Sequence, residues 1–282
     1  MNTVRQRYGK VHGFIAYFQP ATNTYAPIDQ LEEVYQVALK QENVVGLAIG
    51  TRPDCVPNDV LDLIDDIAKD RYVSLEYGMQ SIHQKSLDWM NRAHNHASMV
   101  DAMTRSRGRH FETCAHIILG IPGESHADMM ATANEVARLR PDGVKLHNLY
   151  AVHGTPLGEQ VLQGKLSMME KDDYVKTVVD FLERMPAEMI IERVSGEAPS
   201  GFLIAPQWCL EKSAIRKWID AEFERRGSRQ GTHFQSSDEL SGGQLESTPF
   251  DLSSGHRVLD QTPNGVRERL QSSRKLPVLK LS

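Results

Sequence analysis

Short apolar, β-branched runs recur along the first half of the chain, at Gly13–Phe18, Val44–Gly50, Tyr72–Gly78, His116–Ile121 and Val144–Ala151. Most are continuous rather than alternating, which is how strands covered on both faces read. Between them lie segments with helical spacing. Asp29 precedes Leu31, Val34, Ala38 and Leu39, with Glu32 placed as in a capping box. Asn58 precedes Val60, Leu61, Ile64 and Ile67 in the same way. Ser125-His126-Ala127-Asp128 predicts a third cap, opening a helix that runs to about Arg140 and is stopped by Pro141. Strand–helix–strand alternation at this spacing predicts an α/β fold with a parallel sheet and right-handed crossovers. Pattern alone leaves an open doubly wound sheet and a barrel as alternatives.

After Val152 the pattern changes. Glu170–Arg184 and Leu210–Arg226 predict helices, and Met189–Val194 predicts one more strand. From Ser236 the chain is rich in Ser, Gly, Gln and charge, with no sustained period, and is expected to be disordered. The expected division is a main α/β body over 1–155, a C-terminal extension packed on it over 156–235, and a tail over 236–282. The net charge of −5 gives no electrostatic argument for nucleic acid. No apolar run is long enough to span a membrane, and the first residues carry no apolar signal segment. The three cysteines, Cys55, Cys114 and Cys209, are far apart, with no C-x-x-C or C-x-x-x-C pair. A disulfide framework is not expected, and the cytoplasm is the expected compartment.

In parallel α/β folds reactive groups gather where strands end. The first strand is followed by Gln19, Thr22, Asn23 and Thr24, and the second by Thr51, Arg52, Asp54 and Cys55. The third contains Glu76 and is followed by Gln80 and Ser81; the fourth runs into Gly120-Ile121-Pro122-Gly123-Glu124. The fifth carries Lys145, His147 and Asn148, with His153 just after. A carboxylate inside an apolar strand is costly unless paired, which marks Glu76 as a functional candidate. The glycines of 120–123 also suit a plain strand-to-helix turn, His147 a satisfied core histidine, and Arg52 and Asp54 a simple loop pair.

Several motifs fail. Leu240-Ser241-Gly242-Gly243-Gln244 matches the signature string of ABC-transporter ATPases, but no P-loop accompanies it. No G-x-S-x-G, G-x-G-x-x-G or H-E-x-x-H motif stands in the required context.

Taken in order, other strings resemble one family. They are Tyr17-Phe18-Gln19, Asn23-Thr24-Tyr25-Ala26-Pro27, Gly50 to Pro57, Leu75 to Ser81, Gly120 to Glu124 and Lys145-Leu146-His147. Arg193 to Pro199, Leu203 to Trp208 and Lys212 continue the series. The chain resembles, from Arg7 to Phe234, radical S-adenosylmethionine (radical SAM) proteins of the YhcC/YtqA type. These are relatives of elongator-type and coproporphyrinogen dehydrogenase-type enzymes. The resemblance implies a partial (βα)6 TIM-like barrel. It implies a [4Fe-4S] cluster that reductively cleaves S-adenosylmethionine, giving a 5′-deoxyadenosyl radical that abstracts hydrogen. It also implies cofactor-binding roles for Gln19 and Thr22 by position, and for Glu76 and Gln80 toward the ribose or amino acid part. Ile118, Gly120, Pro122 and Gly123 would pack on adenine, and the backbone through His147 would flank it.

The resemblance also implies a departure. The family's C-x-x-x-C-x-x-C loop and first strand precede everything seen here, and the three cysteines present have the wrong spacing to replace it. The expectation is a barrel lacking its first strand, with an open edge along Gly13–Phe18. Either a second chain covers that edge or the gene product or gene model is incomplete. Three readings follow: a radical SAM enzyme whose cluster loop lies outside the chain, a non-catalytic module that binds S-adenosylmethionine or a partner, or a metal-dependent barrel enzyme using His116, His147, His153 and Glu124. The substrate (small molecule, tRNA or protein) is left open.

Overall fold

The computed structural model describes residues 13–235 other than 197, together with the backbone of 278–280. The expected tail over 236–282 therefore lies outside the described residues apart from that short segment. Strands β1 (Phe14–Phe18), β2 (Val44–Thr51), β3 (Tyr72–Gln80), β4 (Glu112–Leu119), β5 (Gly143–Asn148) and β7 (Ile190–Arg193) form one parallel sheet. It curls into a half-barrel in which neighbours pair in sequence order, β7 joining beyond β5. This is the incomplete α/β barrel anticipated from the sequence.

The strands that read as continuous apolar runs divide cleanly by face. Leu47 and Ile49, Leu75 and Tyr77, Ile117 and Leu119, and Val144 and Leu146 are buried under the outer helices. The intervening positions Tyr17, Glu76, His116, Lys145 and His147 meet one another on the concave side. Side chains alternate across a strand, so one polar residue in a run of hydrophobes marks the inner face.

Helices α1 (Ile28–Leu39) and α2 (Asn58–Ala68) begin slightly earlier than the capping patterns predict. Pro27 and Pro57 occupy the capping positions in extended backbone, so neither Asp29 nor Asn58 acts as the cap. Asp29 and Asp59 instead lie in the first turns, where a negative charge faces the positive end of the helix dipole. Helix α5 (His126–Leu139) has the predicted capping box between Ser125 and Asp128. Helices α3 (Gln84–Trp89) and α4 (His96–Ser106) fall where no element was predicted. The signal for α4 was present but weak: Asn95 accepts from Ser98 N as its cap, and the buried stripe is Met99, Ala102, Met103 and Ser106.

Helix α6 (Pro156–Leu162) lies against a small antiparallel ladder of β6 (Ala151–Val152) and β8 (Leu203–Ala205). Helices α7 (Lys171–Leu182) and α8 (Lys212–Arg226) pack together, α7 also against α5. The free edge of β1 carries a short parallel strand, β9 (Val278–Lys280), with Ile15 opposite Val278 and Tyr17 opposite Lys280. Among the described residues no helix is long and apolar enough to cross a membrane.

Candidate functional site

The site is built from the inner face of β1, β3, β4, β5 and β7. Glu76, only 2% exposed, is its electrostatic centre. Its Oε2 accepts from the Tyr17 hydroxyl at 2.8 Å and lies 2.7 Å from His116 Nε2, while its Oε1 lies 2.5 Å from Lys145 Nζ. Lys145 also reaches Glu192 at 3.1 Å, and its ammonium sits 4.9 Å from the centre of the Tyr17 ring. Burial alone would raise the Glu76 carboxyl. The His116 hydrogen bond and the Lys145 charge outweigh it and bring the group down to about 2. Burial pulls Lys145 downward, but Glu76 and Glu192 more than reverse this. Burial and the Glu76 charge push the Tyr17 hydroxyl far above its ordinary range. The pair is therefore ionised, with Tyr17 a fixed donor to it.

Above this cluster opens a cleft of about 350 Å³ lined by Gln19, Gln80, His116, Ile118, His147 and Arg193, together with the turn after β5 and Gly196. The size suits a small molecule. His147 stacks on His116 with ring centres 5.3 Å apart, and its buried Nε2 has no hydrogen-bond partner. Burial, helped by the neighbouring His116, Arg193 and Lys145, lowers its pKa to about 3, so the ring is neutral at physiological pH. Asn148 ties the wall together: its amide donates to Cys209 Sγ at 2.8 Å and its oxygen accepts from Gly196 N at 2.8 Å.

Gln80 reaches the cleft through a local irregularity. The β3–β4 register shifts between Tyr77 and Gln80, and Gln80 adopts a positive φ of 65°. Such backbone is uncommon for a residue with a Cβ, and bulges of this kind re-aim side chains. Gly78 makes room: a Cβ there would lie 2.7 Å from Gln80 Nε2 and 2.9 Å from Arg92 Nη2. Arg92 was not singled out from the sequence. Its Nε is buried without a partner, and burial and the Arg52 charge both work against its own charge. Arg52 itself is paired with Asp54, the simple loop pair anticipated.

Of the residues carried over from the resemblance, Gln19, Gln80, Ile118 and His147 share the cleft, and Glu76 lies beneath it bonded to His116. Thr22 is in the turn after β1, its carbonyl accepting from Tyr25 N. Gly120, Pro122 and Gly123 follow β4 and are not among the lining residues. Gly120 (φ 82°) lies against Met169, and Gly123 (φ 86°) has open space on its Cβ side. The nearby Glu124 accepts a short hydrogen bond from Ser81.

The sequence profile of the radical SAM superfamily matches residues 4–136, and that of the Radical SAM C-terminal domain matches 141–225. The protein named "Uncharacterized protein YtqA" of Bacillus subtilis (strain 168) is 41% identical over 228 residues, covering 81% of this chain and 71% of that protein. The chain belongs to the radical SAM superfamily. "Protein YhcC" of Escherichia coli (strain K12) is 40% identical over 197 residues, covering 70% of this chain and 64% of that protein. Among solved structures, the archaeal Methanocaldococcus infernus Elp3 with an N-terminal deletion shares the fold. Its TM-score is 0.67 at 18% identity, over 81% of this chain and 58% of that one.

Radical SAM membership raises the question of which cofactors these residues fit. The cleft suits S-adenosylmethionine: it is the right size class, its wall is mixed polar and apolar, and His147 Nε2 and the nearby Arg92 Nε are buried polar atoms without partners. A [4Fe-4S] cluster is different. The sequence holds three cysteines, all buried and none in a disulfide. Cys55 follows β2, Cys114 is on β4, and Cys209 follows β8, where it accepts from Asn148. Burial raises the thiols, Cys209 to about 12 and Cys114 well above its ordinary value, away from the thiolate that ligates iron. Among the described residues no group of three or more His, Cys, Asp or Glu is placed to hold a metal. The donor set of the metal-dependent reading is thus dispersed, with His116 on Glu76 and Glu124 on Ser81.

Proposed function

We propose that the cleft binds S-adenosylmethionine and that the chain is the cofactor- and substrate-binding body of a radical SAM enzyme. The observation that carries this is the convergence of Gln19, Gln80, Ile118 and His147 on one opening, with Arg92 Nη2 and Gln80 Nε2 both close to Gly78. Ile118 offers an apolar surface to adenine, and the β5 backbone through His147 flanks the ring. Gln80 and Arg92 take the charged amino acid end, where a guanidinium fork suits a carboxylate. Beneath them, the ionised Glu76–Lys145 pair keeps Tyr17 and His116 in fixed positions. The cofactor supplies the radical chemistry of the superfamily, and the chain contributes binding, orientation and water exclusion. The cluster ligands are not in this sequence, so no cleavage step is assigned to these residues.

Equilibrium dialysis of the full chain against radiolabelled S-adenosylmethionine tests the reading. Saturable binding near one equivalent is expected, with affinity weakened about 10-fold, ~1.4 kcal/mol, in Gln80→Ala and in Arg92→Met. Absence of saturable binding, or variants that bind as well as the parent, would refute it. Anaerobic iron–sulfur reconstitution separates an enzyme from a non-catalytic binding module. A stable brown chromophore on the chain alone would contradict the ligand argument above.

A further inference from the structure

One cation of the cleft has no ion-pair partner among the described residues. Arg193 is on β7, opposite Lys145 on β5, and lines the opening beside His116 and His147. Its basic neighbours are already engaged: Lys145 with Glu76 and Glu192, and His116 with Glu76. Arg193 has no ion pair or side-chain hydrogen bond among the described residues, and its charge reaches both Tyr17 and His147. The planar fork of a guanidinium on such a half-buried wall matches an oxyanion in bidentate fashion. Beside it on the same wall His147, stacked on His116, has a buried Nε2 with no hydrogen-bond partner among the described residues. Asn148 is held by its bonds to Cys209 and Gly196.

We propose that the β5–β7 side of the cleft is a recognition site for an anionic group of the substrate, a carboxylate or a phosphate, gripped by Arg193 with His147 Nε2 as a neutral second contact. The proposal rests on the cofactor reading above, in which Gln80 and Arg92 take the amino acid end of S-adenosylmethionine. That leaves the Arg193 side for a second molecule. The substrate class is then a small acidic metabolite, or a conjugate presenting a single exposed oxyanion.

Imidazole NMR of the full chain, with the His147 signals assigned by their loss in His147→Gln, provides the readout. Inorganic phosphate and malonate are titrated separately, each with and without saturating S-adenosylmethionine. At least one anion is expected to move the His147 ring signals saturably, and the tighter of the two identifies phosphate or carboxylate as the natural group. Arg193→Met is expected to weaken that anion at least about 10-fold, and Arg193→Lys, which keeps the charge but not the fork, by a smaller factor. If Arg193→Met does not fold, Arg193→Lys carries the test. No response to either anion, equal responses in the parent and Arg193 variants, or displacement of the anion by S-adenosylmethionine would overturn the proposal. The last outcome would place the cofactor's own carboxylate on Arg193. Failure of S-adenosylmethionine to bind while the anion response persists would strike the cofactor reading instead.

Discussion

At the scale of single residues, the molecule concentrates its electrostatic risk at Glu76. A buried ion pair is weak evidence of stability, because desolvating two charges offsets much of their attraction, but removing one partner strands the other. Glu76→Gln is therefore expected to destabilise the fold by roughly 3–5 kcal/mol at neutral pH, read from urea midpoints. The pH dependence separates two groups. His147 falls from an ordinary 6.5 to about 3, so below pH 6.5 the unfolded chain takes up a proton that the folded chain refuses. Stability then falls with pH by ~1.4 kcal/mol per unit for that site. Glu76 falls from 4.5 to about 2, so its contribution is complete above pH 4.5 and is lost as pH drops toward 2. Urea midpoints measured across pH 7 to 3 are expected to flatten between about 6.5 and 4.5 in His147→Gln. A parent-like slope in that variant would show that His147 is not held neutral. Glu76 and His147 were visible in the sequence as polar residues inside apolar strands. Arg92 was not marked in this way, because what distinguishes it is a buried Nε without a partner, a property of the folded chain rather than of any local pattern.

At the scale of elements, close strand packing turns on a few glycines. Gly46 on β2 has the Tyr72 carbonyl so near that a Cβ would lie 2.3 Å from its oxygen. Two backbones cannot both give way without opening the β2–β3 ladder, whose register runs from Gly46↔Tyr72 to Thr51↔Tyr77. Gly108, in contrast, has a positive φ of 76° with nothing within 4 Å of the Cβ position. Gly108→Ala is expected to cost ~1 kcal/mol of backbone strain, and Gly46→Ala about 3 kcal/mol or more, or to leave no soluble protein. Thermal unfolding compares them, and equal effects would mean that the strand approach is looser than described. The same elements show what was legible. The strands and the Ser125 cap could be read because periodicity and capping are local, while the barrel order of the strands came only from the family resemblance. The helix starts after Pro27 and Pro57 were displaced because proline took the capping place, and α4 was missed because Met and Ala make a faint stripe. The shift in β3 that turns Gln80 into the cleft has no sequence signal beyond the neighbouring Gly78.

At the scale of the whole molecule, the half-barrel has two ends to its sheet, and they differ in kind. The β7 end is short, four residues from Ile190 to Arg193 paired to β5. The β1 end presents five residues of strand, from Phe14 to Phe18, and β9 lies along it in parallel. An uncovered strand edge carries a row of free N–H and C=O groups and is a template for pairing with another chain. Covering it is therefore a solubility function as much as a structural one. Deleting residues 278–282 is expected to leave the cluster around Glu76 and the interior packing unchanged while exposing that edge. Circular dichroism should be parent-like, while light scattering and size-exclusion chromatography should show concentration-dependent association. A charge placed on the edge strand in the deletion background, Ile15→Lys, should reverse the association, since an edge lysine opposes strand pairing. A deletion that stays monomeric at every concentration would mean that β9 contributes nothing to edge protection and that the β1 edge is covered by some other part of the protein.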